Sequence, residues 1–362
     1  MELLKFIKNR NYEDIKKILS DEPYFINISE DNDYFILKYN QIKSDFSKEI
    51  VRECRGIIVR KADYEIVCHP FHKFFNYGEV YAAKLDWNTS SVQEKIDGSI
   101  IKVWYDAAEW HISTNGIINA KNAFCSTGKS FYDLFIDALN FMNKDINVFN
   151  YFNKQHIYMF ELVHPLNKIV VKYEAPGLFH IGTRDNISGK EIYEDINFMK
   201  PIRYNFSTID EIINTAKDLS YDKEGYVIVD KDFNRIKIKS PMYIIIHHLK
   251  DNNVINMKNI LSIILNGEQE EFCSYFPEFK CYINEANSIY NNFLFNLNDK
   301  INLVRSKSYF TRKEYALDVL NSVLPDFFFQ VYDGNYTFDQ VQDFLQELGV
   351  NKLVKVLKLE NK

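Results

Sequence analysis

The apolar residues of this chain change period near residue 240, and that change constrains the fold more than any single motif does. Before it the apolar runs are short: YFILKY (34–39), GIIVR (56–60), YEIVCHP (64–70), KFFNYG (73–78) and SIIKVWY (99–105). Period two and β-branched enrichment predict a strand in each. The same reading predicts strands at HIYMFELV (156–163), KIVVKY (168–173), LFHIGTR (178–184), GYVIVD (225–230) and RIKIKS (235–240). After Ser240, residues 243–265, 282–304 and 311–324 carry helical spacing, and Thr337-Phe-Asp-Gln reads as a capping box. Earlier helices are expected over residues 1–20, over 129–143 with Phe131, Leu134, Phe135, Ala138, Leu139 and Met142 on one face, and near 207–218 behind a hydroxyl cap at Ser207. The expected architecture is α+β, with a β-rich domain over 1–245 followed by an all-helical domain over 246–362. A chain of 362 residues is long enough for two cores.

Composition narrows the function classes. No apolar run approaches the roughly 20 residues a bilayer requires, and the opening MELLKFIKNRNYED turns polar too early for a secretory signal. A cytoplasmic protein without membrane contact is expected, the cytoplasm being that of the host cell if the source is viral. The 5 cysteines form no C-x-x-C pair and no zinc-like spacing with histidine, so they read as reduced thiols. A net charge of −6 has the wrong sign for coating nucleic acid by bulk attraction. Any phosphate site must therefore be a local cluster of Lys and Arg.

Such a cluster is available. In QEKIDGSI, Lys95 stands at a strand end beside a tight Asp97-Gly98 turn, where its amine can project into a pocket. An amine attacks phosphorus only when neutral, and an ordinary lysine, with a pKa near 10.4, needs a depression of about 3 units for that at pH 7. Neighbouring cations supply such a shift, and Lys237 and Lys239 alternate along RIKIKS so that both point to one face. Glu161 and Glu224 stand where a carboxylate accepts ribose hydroxyls or holds Mg²⁺ against phosphate oxygens. Arg55 and Lys73 add positive charge, and Phe75 could stack on a base. A second phosphate motif, STGKS at 126–130, ends like a Walker A loop but has Ala123 where that pattern needs glycine, and a plain helix start is the preferred reading.

In chain order, ECRGI (53–57), KFFN (73–76), EKIDGS (94–99), FELVHPLNKIV (160–170), EGYVIV (224–229) and KIKSPMY (237–243) resemble the motifs of the covalent nucleotidyltransferases. Within that superfamily the chain is most similar to the bacteriophage RNA ligase 1 family, the ATP-dependent, tRNA-repair type. The resemblance implies an N-terminal nucleotidyltransferase domain of ATP-grasp-like antiparallel sheets with flanking helices, and a helical C-terminal domain that selects the RNA. It implies Lys95 as the nucleophile that becomes adenylylated, and Tyr39, Arg55, Lys73, Phe75, Glu94, Gly98, Glu161, Glu224, Lys237 and Lys239 as nucleotide-binding residues. It also implies a role for Tyr243 in the joining steps.

The resemblance departs in one place. Family members can carry a lysine before a glycine in the segment after the nucleophile, and here Asn115 precedes Gly116, with Lys102 or Lys121 as replacements. Glu224, and Glu270 in the acidic run Glu268, Glu270, Glu271, are the metal candidates. The implied cofactors are ATP and Mg²⁺, with Mn²⁺ as an alternative. The implied partner is RNA with 5′-phosphate and 3′-hydroxyl ends, tRNA included, acted on by a monomer. A DNA ligase, a GTP-using capping enzyme and a catalytically inactive RNA-binding relative stay open as alternatives.

Overall fold

Secondary structure follows the change of period. The computed structural model describes residues 1–8, 10–248 and 257–359. It divides into two units, Met1–His247 and His248–Lys362. Every strand among the described residues lies before Ser240, and every described element after it is helical.

The first unit opens with two helices, α1 (Glu2–Ile7) and α2 (Tyr12–Ser20), rather than the single helix expected. Asn11 divides them, because its side chain accepts from the Asp14 backbone N–H and so caps α2. The first sheet has four antiparallel strands in the order β1 (Ile26–Glu30), β2 (Tyr34–Tyr39), β3 (Arg55–Arg60) and β4 (Ile66–Cys68). One face buries Phe35, Leu37, Ile57 and Val59 with Leu3, Ile7, Ile15 and Leu19 of the two helices. The short helix α3 (Glu49–Glu53) packs on the same core through Val51. The opposite face buries Tyr34, Ile36 and Ile58 against Trp104 and Ile157 of the next sheet.

KFFNYG yields only a two-residue strand, β5 (Phe75–Asn76), followed by β6 (Ser91–Glu94). The second sheet comprises β7 (Ser99–Asp106), β8 (Glu109–Thr114), β9 (His156–Val163), β10 (Gly177–Asp185) and β11 (Glu191–Ile192), in the order β11-β10-β9-β7-β8. Helix α4 (Phe131–Phe141), capped by Ser130, lays Leu134, Phe135, Ala138 and Leu139 on Ile101, Val103, Phe160 and Leu162 of this sheet.

The third sheet joins β12 (Arg203–Tyr204), β6, β13 (Gly225–Val229), β14 (Arg235–Lys239) and β5 in that order. All its pairings are antiparallel except β14 with β5. Helix α5 (Ile209–Lys217) covers one face through Ile212 and Ala216, against Tyr226, Ile228, Ile236 and Ile238. Its cap is Thr208, one residue later than Ser207, with the Glu211 carboxylate returning to the Ser207 N–H.

The predicted strand KIVVKY is not formed. Val170 and Val171 donate their backbone N–H groups to the side chain of Asp97 at 2.9 and 2.7 Å instead of to a ladder. That segment becomes a loop whose Val170 and Val171 are buried against the Lys95 turn.

Helix α6 (Pro241–His248) follows β14. The second unit holds α7 (Met257–Leu265), α8 (Gln269–Tyr275), α9 (Lys280–Arg305), α10 (Arg312–Val319), α11 (Pro325–Tyr332) and α12 (Val341–Val356). Residues 249–256 of the expected helix over 243–265 lie outside the described residues. The helix expected over 311–324 stops at Val319, and Pro325 opens α11 with Leu324 out of helical geometry at ψ 69°. The Thr337 capping box is formed. No helix among the described residues is long and apolar enough to cross a membrane.

Candidate active site

Alternation along β14 sends Ile236 and Ile238 under α5, leaving Arg235, Lys237 and Lys239 for the opposite face. From that face Arg235, with Gln93 and Val227, lines one wall of a cleft of about 270 Å³. The other wall comes from the second sheet, through Ile100, Glu161 and Ile181, and Arg55 of β3 also lines it.

The four residues Lys95–Gly98 carry the chain from the third sheet to the second, so the lysine stands where the two walls meet. Its backbone N–H donates to the Gly225 carbonyl at 2.8 Å. Its Nζ reaches Glu224 Oε2 at 2.7 Å, and the other carboxylate oxygen of Glu224 lies 4.0 Å from Lys239 Nζ. The turn that presents it is fixed by Asp97, which is 4% exposed. Asp97 accepts the two N–H groups of Val170 and Val171, and its second oxygen accepts from the Tyr243 hydroxyl at 2.8 Å. Gly98 follows because the loop lies directly on β9: a Cβ there would stand 2.6 Å from the Leu162 carbonyl oxygen and 2.9 Å from Glu161 Cγ.

The electrostatics are crowded. Glu161 sits inside β9, and burial pushes its carboxyl up to about 7, with Lys95 and Arg55 opposing that and Glu224 and Asp97 adding to it. Arg55 Nη1 is buried without a hydrogen-bond partner among the described residues, and its guanidinium stands 5.3 Å from the Phe74 ring. A buried guanidinium with an unused donor suits an incoming phosphate. Glu94 also lines the cleft, and pairs with Lys223 at 2.6 Å.

The structure therefore gathers Lys95, Arg55, Glu94, Gly98, Glu161, Glu224 and Lys239 and puts Lys237 on the same strand face. It does not bring every sequence-predicted residue there. Lys73 Nζ lies among three rings, 4.9 Å from Tyr39, 4.4 Å from Phe46 and 5.2 Å from Phe75, which places Tyr39, Lys73 and Phe75 in an aromatic cluster beside the Lys95 cleft. Phe75 is 6% exposed, with the Phe46 and Tyr81 rings beside it. Tyr243 is buried at 3% and touches the site through Asp97.

Of the two replacement lysines, Lys102 is the one near Arg55. It is fully buried, donates to the Gly56 carbonyl, and burial lowers its amine to about 8. Asn115 packs against the same Gly56, its Oδ1 buried without a partner among the described residues. Lys121 instead stands 4.7 Å over Tyr132.

Among the described residues no group of three or more His, Cys, Asp or Glu is placed to hold a metal ion by itself. Glu270 is exposed on α8, and the side chain of Glu271 lies outside the described residues. STGKS forms a tight turn in which Lys129 pairs with Asp137 at 2.7 Å and Ser130 caps α4, so the lysine is committed away from any phosphate cradle. Sequence reasoning missed Asp97, taken only as half of a turn dipeptide, and Arg235, which shares the period of Lys237 and Lys239.

The family model described as RNA ligase matches residues 53–243, more than half of the chain. A protein of Autographa californica nuclear polyhedrosis virus, named as a candidate bifunctional polynucleotide kinase/RNA ligase, is 32% identical over 272 residues, covering 70% of this chain and 39% of its own length. An RNA ligase of Rhodothermus phage RM378 is 26% identical over 309 residues, covering 66% of this chain and 69% of the phage protein. The chain thus spans well under half of the viral relative. Among solved structures, Naegleria gruberi RNA ligase with pyrophosphate aligns at 14% identity and a TM-score of 0.31, over 45% of this chain and 52% of that one.

Proposed function

The chain belongs to the RNA ligase family, and on that premise we propose that it joins RNA 3′-hydroxyl and 5′-phosphate ends at the expense of ATP, with Lys95 as the nucleophile. The observation that carries this is the amine of Lys95 at the junction of two sheets, 2.7 Å from Glu224 and in one cleft with the unpartnered guanidinium nitrogen of Arg55.

The reaction runs in three transfers. The Lys95 amine, having released a proton, attacks the α-phosphorus of ATP; the N–P bond forms as the P–O bond to pyrophosphate breaks. Glu224 Oε2 is within hydrogen-bond reach of that proton. A 5′-phosphate oxygen of RNA then displaces the lysine nitrogen and takes AMP. The 3′-hydroxyl of the other end attacks that 5′-phosphate, expels AMP and closes the phosphodiester.

Each transfer asks for positioned charge more than for acid–base chemistry. Arg55, Lys237 and Lys239 supply cations for phosphate oxygens, Glu161 a hydroxyl-binding carboxyl for ribose, and Tyr243 acts through Asp97 on the Lys95 loop. Mg²⁺ binds through one or two carboxylates plus substrate phosphates, and Glu224 fits that mode; the ion would neutralise phosphate charge. Selection of the RNA, tRNA included, falls to the helical unit.

Incubation with ATP labelled at the α-phosphate tests the reading. Wild type should acquire label, excess unlabelled GTP present during the reaction should not suppress it, and Lys95→Ala should acquire none while its circular dichroism is unchanged. Label retained on Lys95→Ala would refute the assignment. A 5′-hydroxyl RNA should gain no phosphate, given the pairing of Lys129 with Asp137.

A further inference from the structure

Beside the Lys95 cleft lies a larger one, of about 670 Å³, which shares Phe71, Phe74 and Arg235 with it. Its rim and floor carry Arg52, Lys73, Arg184, Lys190, Lys231 and Arg235 against only Glu49, Glu191 and Asp232. A local excess of cations in a chain of net charge −6 calls for a cause.

The floor supplies one. Arg184 and Arg235, 6% and 8% exposed, share a single carboxylate: Glu191 Oε1 faces Arg184 at 2.9 Å and Oε2 faces Arg235 at 2.6 Å. Two guanidiniums on one carboxylate leave one positive charge uncompensated in a desolvated wall, which is costly until an anion meets it. Arg184 Nε is in addition buried with no partner among the described residues. The His69–His72 pair, nitrogens 2.8 Å apart, lies against Arg184 but offers hydrogen bonds rather than charge, since burial and Arg184 push His72 down to about 3.

The rim adds ring surface. Tyr81 is 42% exposed, and Phe233 lies in the turn between β13 and β14 at φ +62°, a conformation that strains an aromatic residue. That turn is pinned by Asp230, which accepts from the N–H groups of Asp232 and Asn234.

We propose that this second cleft binds the phosphate backbone of the single-stranded RNA whose 5′-phosphate is delivered to the AMP on Lys95, with Tyr81 and Phe233 as stacking surfaces for its bases. The inference rests on the ligase reading and adds the path of one substrate. Cations follow the backbone while rings accept any base, the usual division of labour for single strands. Arg235 serves both clefts, so the strand's terminal phosphate leaves the second cleft at the wall of the first. A triphosphate tail would satisfy the same cations, and the test must separate the two sources.

Lys190→Ala/Lys231→Ala removes two exposed cations with no cost to the core, and Lys17→Ala/Lys154→Ala serves as a charge-matched control. Binding of a 5′-phosphorylated single-stranded RNA is measured without ATP across a salt series. Each lost phosphate contact flattens the slope of log K against log salt by about 0.7, so the double variant should lose about 1.4 and bind roughly tenfold more weakly at low salt. The control should match wild type. Label transfer from lysyl-AMP to RNA should need correspondingly more RNA, at an unchanged ATP requirement for lysyl-AMP formation. An unchanged slope, or a raised ATP requirement with RNA binding intact, overturns the proposal. Failure of wild type to form lysyl-AMP overturns the ligase reading instead, and is seen in a separate lane of the same experiment.

Discussion

Tyr243 should control the Lys95 loop through its hydrogen bond to Asp97, and that can be measured. Its hydroxyl, 2.8 Å from Asp97 Oδ1, is buried at 3% exposure and spans 146 residues of sequence. Tyr243→Phe deletes this donor without changing ring volume. A buried hydrogen bond to a charged group contributes about 1.5–3 kcal/mol. Asp97→Asn keeps the shape and puts one carbonyl oxygen where two N–H groups now share a carboxylate, for a loss of about 1–2 kcal/mol. If the two side chains act on one another directly, the double variant should cost less than the sum of the singles by about 1 kcal/mol or more in urea denaturation. Asp97→Ala strands three buried donors at about 1–3 kcal/mol each, a large share of the 5–15 kcal/mol of a typical domain, and should not accumulate as folded protein. The functional counterpart is the single-turnover rate of lysyl-AMP formation in Tyr243→Phe: a loosening of about 1.4 kcal/mol in the loop appears as a tenfold slower rate. Additivity of the two singles within about 0.5 kcal/mol, with an unchanged labelling rate, would refute the reasoning.

Glu161 makes stability depend on pH. Its folded carboxyl is raised from the ordinary 4.5 to about 7, so the folded state holds the proton more tightly, and stability present below 4.5 is lost as pH rises through 7. A rise from 4.5 to about 7, at roughly 1.4 kcal/mol per unit, bounds the loss at about 3.5 kcal/mol. Glu161→Gln should gain on wild type by up to that amount between pH 5 and pH 8 in parallel denaturation curves; parallel pH profiles would dispose of the claim. Gly225→Ala should destabilise by more than about 2 kcal/mol, because φ is +139° and its Cβ would stand 2.1 Å from the Ile238 carbonyl oxygen. Gly128→Ala, at φ +83° with nothing within 4 Å, should cost only about 1 kcal/mol, and equal thermal shifts for the two would contradict the steric account.

Much of the site was legible because strands have a fixed period. RIKIK needs only alternation to set Lys237 and Lys239 apart from Ile236 and Ile238, and the structure buries those two isoleucines under α5. The same alternation includes Arg235, which was there to be read. KIVVKY misled for the complementary reason: its β-favouring composition is a local preference, and Asp97, more than 70 residues away, took the backbone N–H groups a ladder would have used. Asn11 divides one expected helix into two and Thr208 moves a helix start by one residue, both by side-chain caps that leave the apolar pattern unaltered.

Sequence alone determined the β-rich and helical segments, the lysine beside its Asp-Gly turn, and the cations that accompany it, since period and residue chemistry are local properties. Only the tertiary structure decided that Lys73 sits among aromatic rings, that Tyr243 acts through Asp97, and that Arg184 and Arg235 share Glu191 in a second cleft. Tyr243 with Asp97, and Arg235 with Glu191, join residues far apart in the chain. They are selected by desolvation and hydrogen-bond geometry that exist only once the sheets have closed on one another.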